Sequence, residues 1–321
     1  MSNKKLWIPI LLVGISTGVF GQSKTTATKP AAKDVIDKSL FNKQIKPTDD
    51  FFDYINSSWI SQNPIAADKS SWGMFDVLQE KSRTAIKKIL TTAAATTNAP
   101  KGSNKQILGD FYKSAMDTVF INKAGITAVD SWLKQISNIK TNAEFYSFIS
   151  KLGLRDLTTP IGYYVDVDAK NTTRYILQIG QGGLGLPDRD FYFRTDERSK
   201  KTLDAYKSYV TKVFELSKFD KSISATKHME NVLEVEQAIA SVSLSRVELR
   251  DPEKNYNLYT YEKLKADFKG IEWDAFFKEM NVTPKEIVVG QVGFMHGLDS
   301  LRMTIPNDKW KSYLAFEFIN S

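Results

Sequence analysis

The sequence predicts a mainly α-helical protein with one small β-hairpin. Apolar residues recur at helical spacing over most of the chain, for example at Leu203, Tyr206 and Val210. Residues 161–179 instead alternate between apolar and other side chains, which is typical of paired strands. The 321 residues are 42% apolar and 25% charged, so the chain can bury a sizeable core and is neither disordered nor collagen-like.

The predicted elements follow in order. A first helix begins after Asp49 and Asp50, because acidic side chains cap and stabilise a helix N-terminus. It ends at Asn63-Pro64, and a second helix begins near Ser70-Ser71. Residues 93–104 predict a loop. Apolar periodicity predicts the remaining helices over 107–115, 129–136, 145–152, 203–214 and 229–242. Between these groups, Ile161 to Val167 and Arg174 to Ile179 predict the two strands of the hairpin.

The N-terminus is predicted to be a bacterial-type signal peptide, residues 1–21. Lys4 and Lys5 precede an apolar run that ends at Gly21, near which we expect cleavage. The run is shorter than the roughly 20 residues that span a bilayer, so no stable membrane anchor is expected after cleavage, although an uncleaved anchor is the alternative. The mature chain is therefore expected to be exported, periplasmic or extracellular, with a flexible spacer over 22–45.

The C-terminus predicts a truncated helix. Pro306 starts it, and Trp310, Leu314 and Phe318 are spaced four apart on one face. We expect these side chains to lack a partner surface within the chain, which would place further sequence downstream. The alternative is a short, docked C-terminal helix.

Composition excludes several kinds of site. The chain has no cysteine, so disulfides, thiolate zinc sites and cysteine nucleophiles are excluded, and two histidines leave little for metal or acid–base chemistry. The 44 Lys+Arg and 37 Asp+Glu residues are interspersed, so no nucleic-acid partner is expected. His228, with Glu230, Glu234 and Glu236, is expected on a solvated helical face, and His296 in a loop or core.

A glycine motif weakly suggests nucleotide binding. Gly180, Gly182 and Gly185 fit the spacing of a dinucleotide-binding loop, but Pro187 and Asp188 follow where a helix should open. We therefore expect a turn in which backbones approach closely.

Five longer motifs resemble the N-terminal region of the neprilysin family of zinc metallopeptidases, which includes the endothelin-converting enzymes and bacterial oligopeptidases. In chain order these are Asp49–Asn56 with Trp59, Trp72–Asp76, Gly183–Tyr192, Arg246–Tyr256 and Pro306–Leu314. The resemblance spans about residues 46–320. It implies the non-catalytic lobe of a two-lobed enzyme that cleaves peptides.

The resemblance also assigns regions and a cofactor. Residues 46–95 would pack on the catalytic lobe, 96–305 would form the lobe that restricts substrate size, and 306–321 would lead back into the catalytic lobe. Family members hold zinc with an H-E-x-x-H helix and a later glutamate, and neither occurs here. The resemblance therefore implies zinc in the full-length enzyme, with no ligand from this chain.

Two substrate-pocket residues follow from the resemblance. Phe75 would form an apolar wall on the leaving-group side of the cut, and Asp76 would orient polar partners. Two arginines of this pocket in the family correspond to Ser71 and Gln79, so recognition of a free C-terminus is not expected. The resemblance thus favours an endopeptidase or oligopeptidase.

The leading hypothesis is the N-terminal portion of an exported zinc oligopeptidase that is inactive alone. Two alternatives remain open at this point. One is a stand-alone, exported peptide-binding or interaction module derived from this lobe. The other is a noncatalytic partner of a separately encoded zinc domain.

Overall fold

The computed structural model describes residues 36–66, 69 and 71–321, which belong to two units. The first unit ends at Met116, and the second is Asp117–Ser321. The mainly α-helical prediction is confirmed. The predicted signal peptide and residues 22–35 of the predicted spacer lie outside the described residues. Among the helices that are described, none combines the length and apolar character needed to cross a membrane.

The first unit contains α1 (Phe51–Gln62), α2 (Met74–Ala94) and α3 (Asn104–Ala115). α1 begins as predicted, because the Asp50 carboxylate accepts the Asp53 N–H at 2.9 Å. Residues at the end of the predicted spacer are held against this helix. The Asn42 N–H donates to the Tyr54 carbonyl at 2.8 Å, and the Phe41 ring contacts that of Tyr54.

The second unit packs helices around a small sheet. Its helices are α4 (Thr118–Ala124), α5 (Asp130–Asn138), α6 (Asn142–Gly153), α7 (Glu197–Ser217), α8 (Ala225–Val242), α9 (Tyr261–Asp267), α10 (Trp273–Met280), α11 (Val292–Thr304) and α12 (Asn307–Asn320). Its strands are β1 (Ile161–Asp168), β2 (Asn171–Gln181), β3 (Asn257–Thr260) and β4 (Glu286–Val289). Buried aromatic and aliphatic side chains from both sets of elements form one core.

The predicted hairpin is confirmed as β1 and β2, but it belongs to a larger sheet. The strand order is β1-β2-β4-β3, with β2 parallel to β4 and the other pairs antiparallel. Leu177 lies opposite Ile287 in the parallel pair. β3 and β4 were not predicted, because four residues are too few to establish a period of two.

The expectation that the C-terminal helix lacks a partner surface is wrong. Trp310 and Leu314 are fully buried in α12, and Phe318 stacks on Trp132 at a ring distance of 5.4 Å. α12 packs against α5, α7 and α8. Its burial extends round the helix to Phe316, as expected for a helix in the centre of a core. The region boundaries implied by the resemblance, at residues 95 and 305, stay predictions.

Candidate functional site

The predicted pocket segment forms the start of α2. Gly73 is extended and precedes the helix, and its N–H donates to the Asp76 carboxylate at 2.8 Å. A carboxylate in the first turn also interacts favourably with the helix dipole. This capping explains why α2 begins at Met74 rather than near Ser70-Ser71, as the sequence analysis expected. Asp76 therefore has a structural role that the sequence analysis did not assign.

Phe75 is one of the most exposed apolar side chains of the described residues, at 89%. It begins an exposed apolar stripe on α2, continued by Leu78, Ile86 and Ile89. These positions fall on one side of a helix with 3.6 residues per turn. Ser82 interrupts the stripe, but monomeric proteins rarely expose this many large apolar side chains along one helix, so the stripe indicates an interaction surface.

An apolar groove of about 340 Å³ lies beside this segment in the first unit. Its walls include Trp59, Trp72, Phe52 and Met74, but not Phe75 or Asp76. Trp72 and Met74 therefore connect the groove to the start of the exposed α2 stripe. The aromatic lining fits an apolar side chain better than a charged one.

Ser71 and Gln79 are both exposed at the positions where the resemblance would place arginines. Arg83, one helical turn beyond Gln79, forms an ion pair with Glu80 at 3.0 Å. The segment therefore presents apolar surface without a free guanidinium at either expected position.

The two histidines do not form a metal site. His228 is buried, contrary to the predicted solvated face, and its ring nitrogens contact the Ser312 hydroxyl at 2.9 Å and the Asp220 carbonyl at 3.1 Å. His296 is exposed on α11 and packs on Phe268, so it lies in neither a loop nor the core. No group of three or more potential metal ligands occurs within residues 36–66, 69 and 71–321. The described residues therefore do not provide the ligands for the zinc ion that the resemblance implies.

The glycine motif forms a turn in which backbones approach closely, as predicted, and a short 3-10 helix over Arg189–Tyr192 follows it rather than an α-helix. A Cβ atom at Gly182 would lie 2.5 Å from the Thr159 carbonyl oxygen. Gly183 has a φ of +84°, and a Cβ atom there would lie 2.5 Å from the Tyr313 hydroxyl. The positions therefore require glycine for close approach and for a left-handed backbone, not for phosphate binding.

Beneath this turn lies a buried carboxyl pair that the sequence analysis missed. Glu236, which was expected in water, is fully buried on α8, and the equally buried Glu317 of α12 lies close enough to influence its charge. The hydroxyls of Tyr206 and Tyr192 donate to its two oxygens at 2.7 and 3.0 Å. Only its position among the buried residues Val232, Val235 and Ile239 distinguishes Glu236 from the solvated Glu230 and Glu234.

Burial is the main cause of the raised pKa of both carboxyls. Loss of hydration raises the pKa of Glu236 to about 7, against the opposing effect of the tyrosine hydrogen bonds. Burial and the neighbouring Glu236 raise the pKa of Glu317 as well. Both shifts favour the protonated, uncharged form of the carboxyls as the pH approaches neutral. Since a Cβ atom at Gly185 would lie 2.9 Å from a Glu236 oxygen, the pair is closed off by the turn and holds structure rather than substrate.

Motifs that are distant in sequence meet around the same turn. Arg246 forms an ion pair with Asp188 at 2.7 Å. Gln181 donates to the Leu244 carbonyl and accepts its N–H. Thus the segments 183–192 and 246–256, which carry much of the resemblance, form one connected structure in the second unit.

Comparisons with known proteins agree with this architecture. A family model described as Peptidase family M13 matches residues 47–321. Endothelin-converting enzyme 1 of Cavia porcellus is 24% identical over 87% of this chain and 38% of its own length. Neprilysin-3 of Drosophila melanogaster is 26% identical over 80% of this chain and 34% of its own length. The chain thus spans less than half of these relatives.

Solved structures show the same similarity in three dimensions. The zinc metalloprotease Zmp1 of Mycobacterium tuberculosis, solved with an inhibitor, matches with a TM-score of 0.77 and 27% identity, over 87% of this chain and 42% of that chain. PepO of Lactobacillus rhamnosis matches with a TM-score of 0.67 and 20% identity, over 86% of this chain and 43% of that chain, and shows the fold alone. The chain therefore belongs to peptidase family M13, a family of zinc metallopeptidases, and corresponds to its N-terminal region.

Proposed function

We propose that this chain is the N-terminal portion of an exported, zinc-dependent endopeptidase or oligopeptidase. In this proposal the second unit restricts substrate size, and the first unit supplies part of the substrate pocket through Phe75 and Asp76. The chain supplies no zinc ligand and does not cleave peptides alone. The match of residues 47–321 to family M13, over only 38% of the length of a relative, carries the proposal.

The exposed apolar surface of the first unit supports the proposal that a catalytic part packs against this unit. Its α2 stripe and the 340 Å³ groove present apolar surface side by side. Covering such surface contributes about 25 cal/mol for each Å² removed from water. We propose that the missing zinc-binding part, together with bound peptide, covers this surface.

Sequencing the gene beyond codon 321 tests the proposal directly. An in-frame continuation that encodes H-E-x-x-H and a later glutamate is expected. A stop codon directly after Ser321 would rule out a single-chain peptidase. The chain would then be either a stand-alone module or the partner of a separately encoded zinc domain. For that partner, adding a separately produced zinc domain would restore peptide cleavage.

Activity of the purified chain gives a second test. Residues 22–321 with added zinc are expected to leave an internally quenched peptide intact. Zinc-dependent cleavage that a chelator abolishes would contradict the proposal that the catalytic groups lie elsewhere.

The pocket assignment is tested in the complete enzyme with Phe75→Ala. Loss of the apolar wall is expected to raise KM about tenfold for peptides with a large apolar residue after the cut, with a smaller change in kcat. Phe51→Ala is the matched control, because Phe51 is also an exposed phenylalanine of the first unit but lies on α1, outside the proposed pocket segment Trp72–Asp76. Equal effects of the two substitutions would argue against a pocket role for Phe75.

A stand-alone peptide-binding module is the second candidate. The observation that favours it is the exposed edge of β1 in the second unit, where a peptide could bind without zinc.

A further inference from the structure

β1 is an exposed edge strand. The order β1-β2-β4-β3 leaves one side of β1 without a neighbouring strand. The strand is eight residues long, and Val165 at its centre is 65% exposed. Natural edge strands are usually short, charged, bulged or covered. β1 carries a bulge only at its end, between Val167 and Asp168.

The hydrogen-bond pattern shows which backbone groups face outward. The Gly182 N–H donates to the Pro160 carbonyl, and the register places these two residues opposite each other. Bonded pairs alternate along an antiparallel ladder, so Gly162 and Tyr164 face β2, whereas Tyr163 and Val165 face outward.

Two side-chain bonds agree with this alternation. The Ile161 carbonyl accepts from the Thr159 hydroxyl at 2.7 Å, and the Val167 N–H donates to the Asp166 carboxylate at 2.7 Å. Both groups are therefore also turned away from β2. Between them, the N–H and C=O of Tyr163 and Val165 have no hydrogen-bond partner in the described part of the chain. Such a row of unpaired backbone N–H and C=O groups can hydrogen-bond to the backbone of an extended polypeptide.

The side chains beside this row select the residues of such a polypeptide. Val165 and Val167 lie on the same face as Tyr175, which is 75% exposed on the neighbouring strand. An added strand would place every second side chain against this apolar surface.

A pocket of about 300 Å³ lies at the N-terminal half of the strand. Gly162, Tyr163 and Thr158 contribute to its lining, as does Asp156. Asp156 has a left-handed φ of 59°. Its exposed carboxylate has no ion pair or side-chain hydrogen bond in the described residues. A basic side chain would complement this carboxylate.

We infer that the second unit binds an extended peptide along β1 by strand addition, with apolar residues at alternate positions and a basic side chain in the Asp156 pocket. This binding requires neither zinc nor the missing part of the enzyme. It therefore extends beyond the proposed peptidase function and can fail or succeed independently of it. Seven residues, matching Ile161 to Val167, would span about 23 Å.

The test uses the full chain and a fluorescent nine-residue peptide of alternating Val and Thr with one terminal Lys. Binding is measured by fluorescence anisotropy, against the same peptide with Glu in place of Lys. We expect the Lys peptide to bind about tenfold more tightly. Amide exchange at Tyr163 and Val165 should slow when the peptide binds.

Two variants separate the parts of the inference. Val165→Pro removes an outward N–H without breaking the β1–β2 ladder and should weaken binding at least tenfold, whereas Val165→Thr should not. Asp156→Asn should remove the preference for Lys, with Asp204→Asn on exposed α7 as the matched control. Because Asp156 is exposed, its substitution leaves the test valid even if Val165→Pro fails to fold.

Three results of the peptide experiments would overturn the inference, and a fourth would come from the chain without peptide. The first three are no binding of either peptide, amide protection outside β1, or a Lys preference that persists in Asp156→Asn. Concentration-dependent dimerisation that protects Tyr163 and Val165 without peptide would assign the edge to a second copy of the chain, and would also overturn it.

Discussion

At the scale of single residues, the buried pair of Glu236 and Glu317 makes stability depend on pH. Its protonated form suits the core, because burial penalises the charged form. The pKa of Glu236 is near 7 in the folded chain and near its ordinary value, about 4.5, when unfolded. The stabilising contribution is therefore complete below about pH 4.5 and is lost as the pH rises through about 7.

We predict that Glu236→Gln flattens this dependence. A neutral amide keeps the tyrosine contacts without titrating, so the variant should lose less unfolding free energy than the parent chain between pH 5 and pH 8. Urea unfolding at both pH values measures the difference. Glu230→Gln on the exposed face of the same helix should retain the parent slope. Equal slopes for the parent chain and Glu236→Gln would show that the pair does not control this dependence.

Sequence reasoning proposed Phe75 and Asp76 as pocket residues only through family resemblance, and it did not identify the buried Glu236. The acidic run around Glu236 resembles a solvated face. Its tyrosine partners come from other segments, Tyr192 before α7 and Tyr206 within it. A buried carboxyl is recognisable only once those segments are brought together, because its local sequence does not encode its partners.

At the scale of elements, α2 and α3 approach each other at Gly109. A Cβ atom there would lie 2.7 Å from the Ala93 carbonyl oxygen, which is backbone and cannot rotate away. We predict that Gly109→Ala destabilises the first unit by about 1–3 kcal/mol, despite the better helix propensity of alanine. Chemical unfolding followed by circular dichroism measures the change.

Gly293→Ala on α11 is the control. No atom lies within 4 Å of its would-be Cβ, so alanine should be neutral or stabilising by up to about 1 kcal/mol. A destabilisation as large as that of Gly109→Ala would show that close approach is not the cause.

Element length explains which elements the sequence could predict. The hairpin strands β1 and β2 have 8 and 11 residues, enough for alternation to be visible. β3 and β4 have four residues each and are strands because of their neighbours in the sheet. α2 begins later than the sequence predicted, because its N-terminal cap depends on Gly73 and Asp76 rather than on the serines before them.

At the scale of the whole molecule, α12 holds the core of the second unit together. Leu314 is fully buried among helices that precede it in the chain. We predict that Leu314→Ala lowers the unfolding free energy by about 2–5 kcal/mol through lost burial and the cavity that remains. Leu216→Ala, at an exposed leucine of α7, should cost less than about 0.5 kcal/mol. Similar losses in both variants, measured by urea unfolding, would contradict the central position of α12.

The parallel pairing of Leu177 with Ile287 governs when the chain can acquire this structure during synthesis. β2 is made early, but its partner emerges from the ribosome only after α7 to α10, and α12 emerges later still. Pairings between distant segments slow folding, because the loop between them loses conformational entropy on closing before the new contacts stabilise it. The nascent hairpin therefore remains with its core-facing side chains uncovered for much of translation. We expect this delay to make the second unit a substrate for chaperones that shield apolar surface until α12 has emerged.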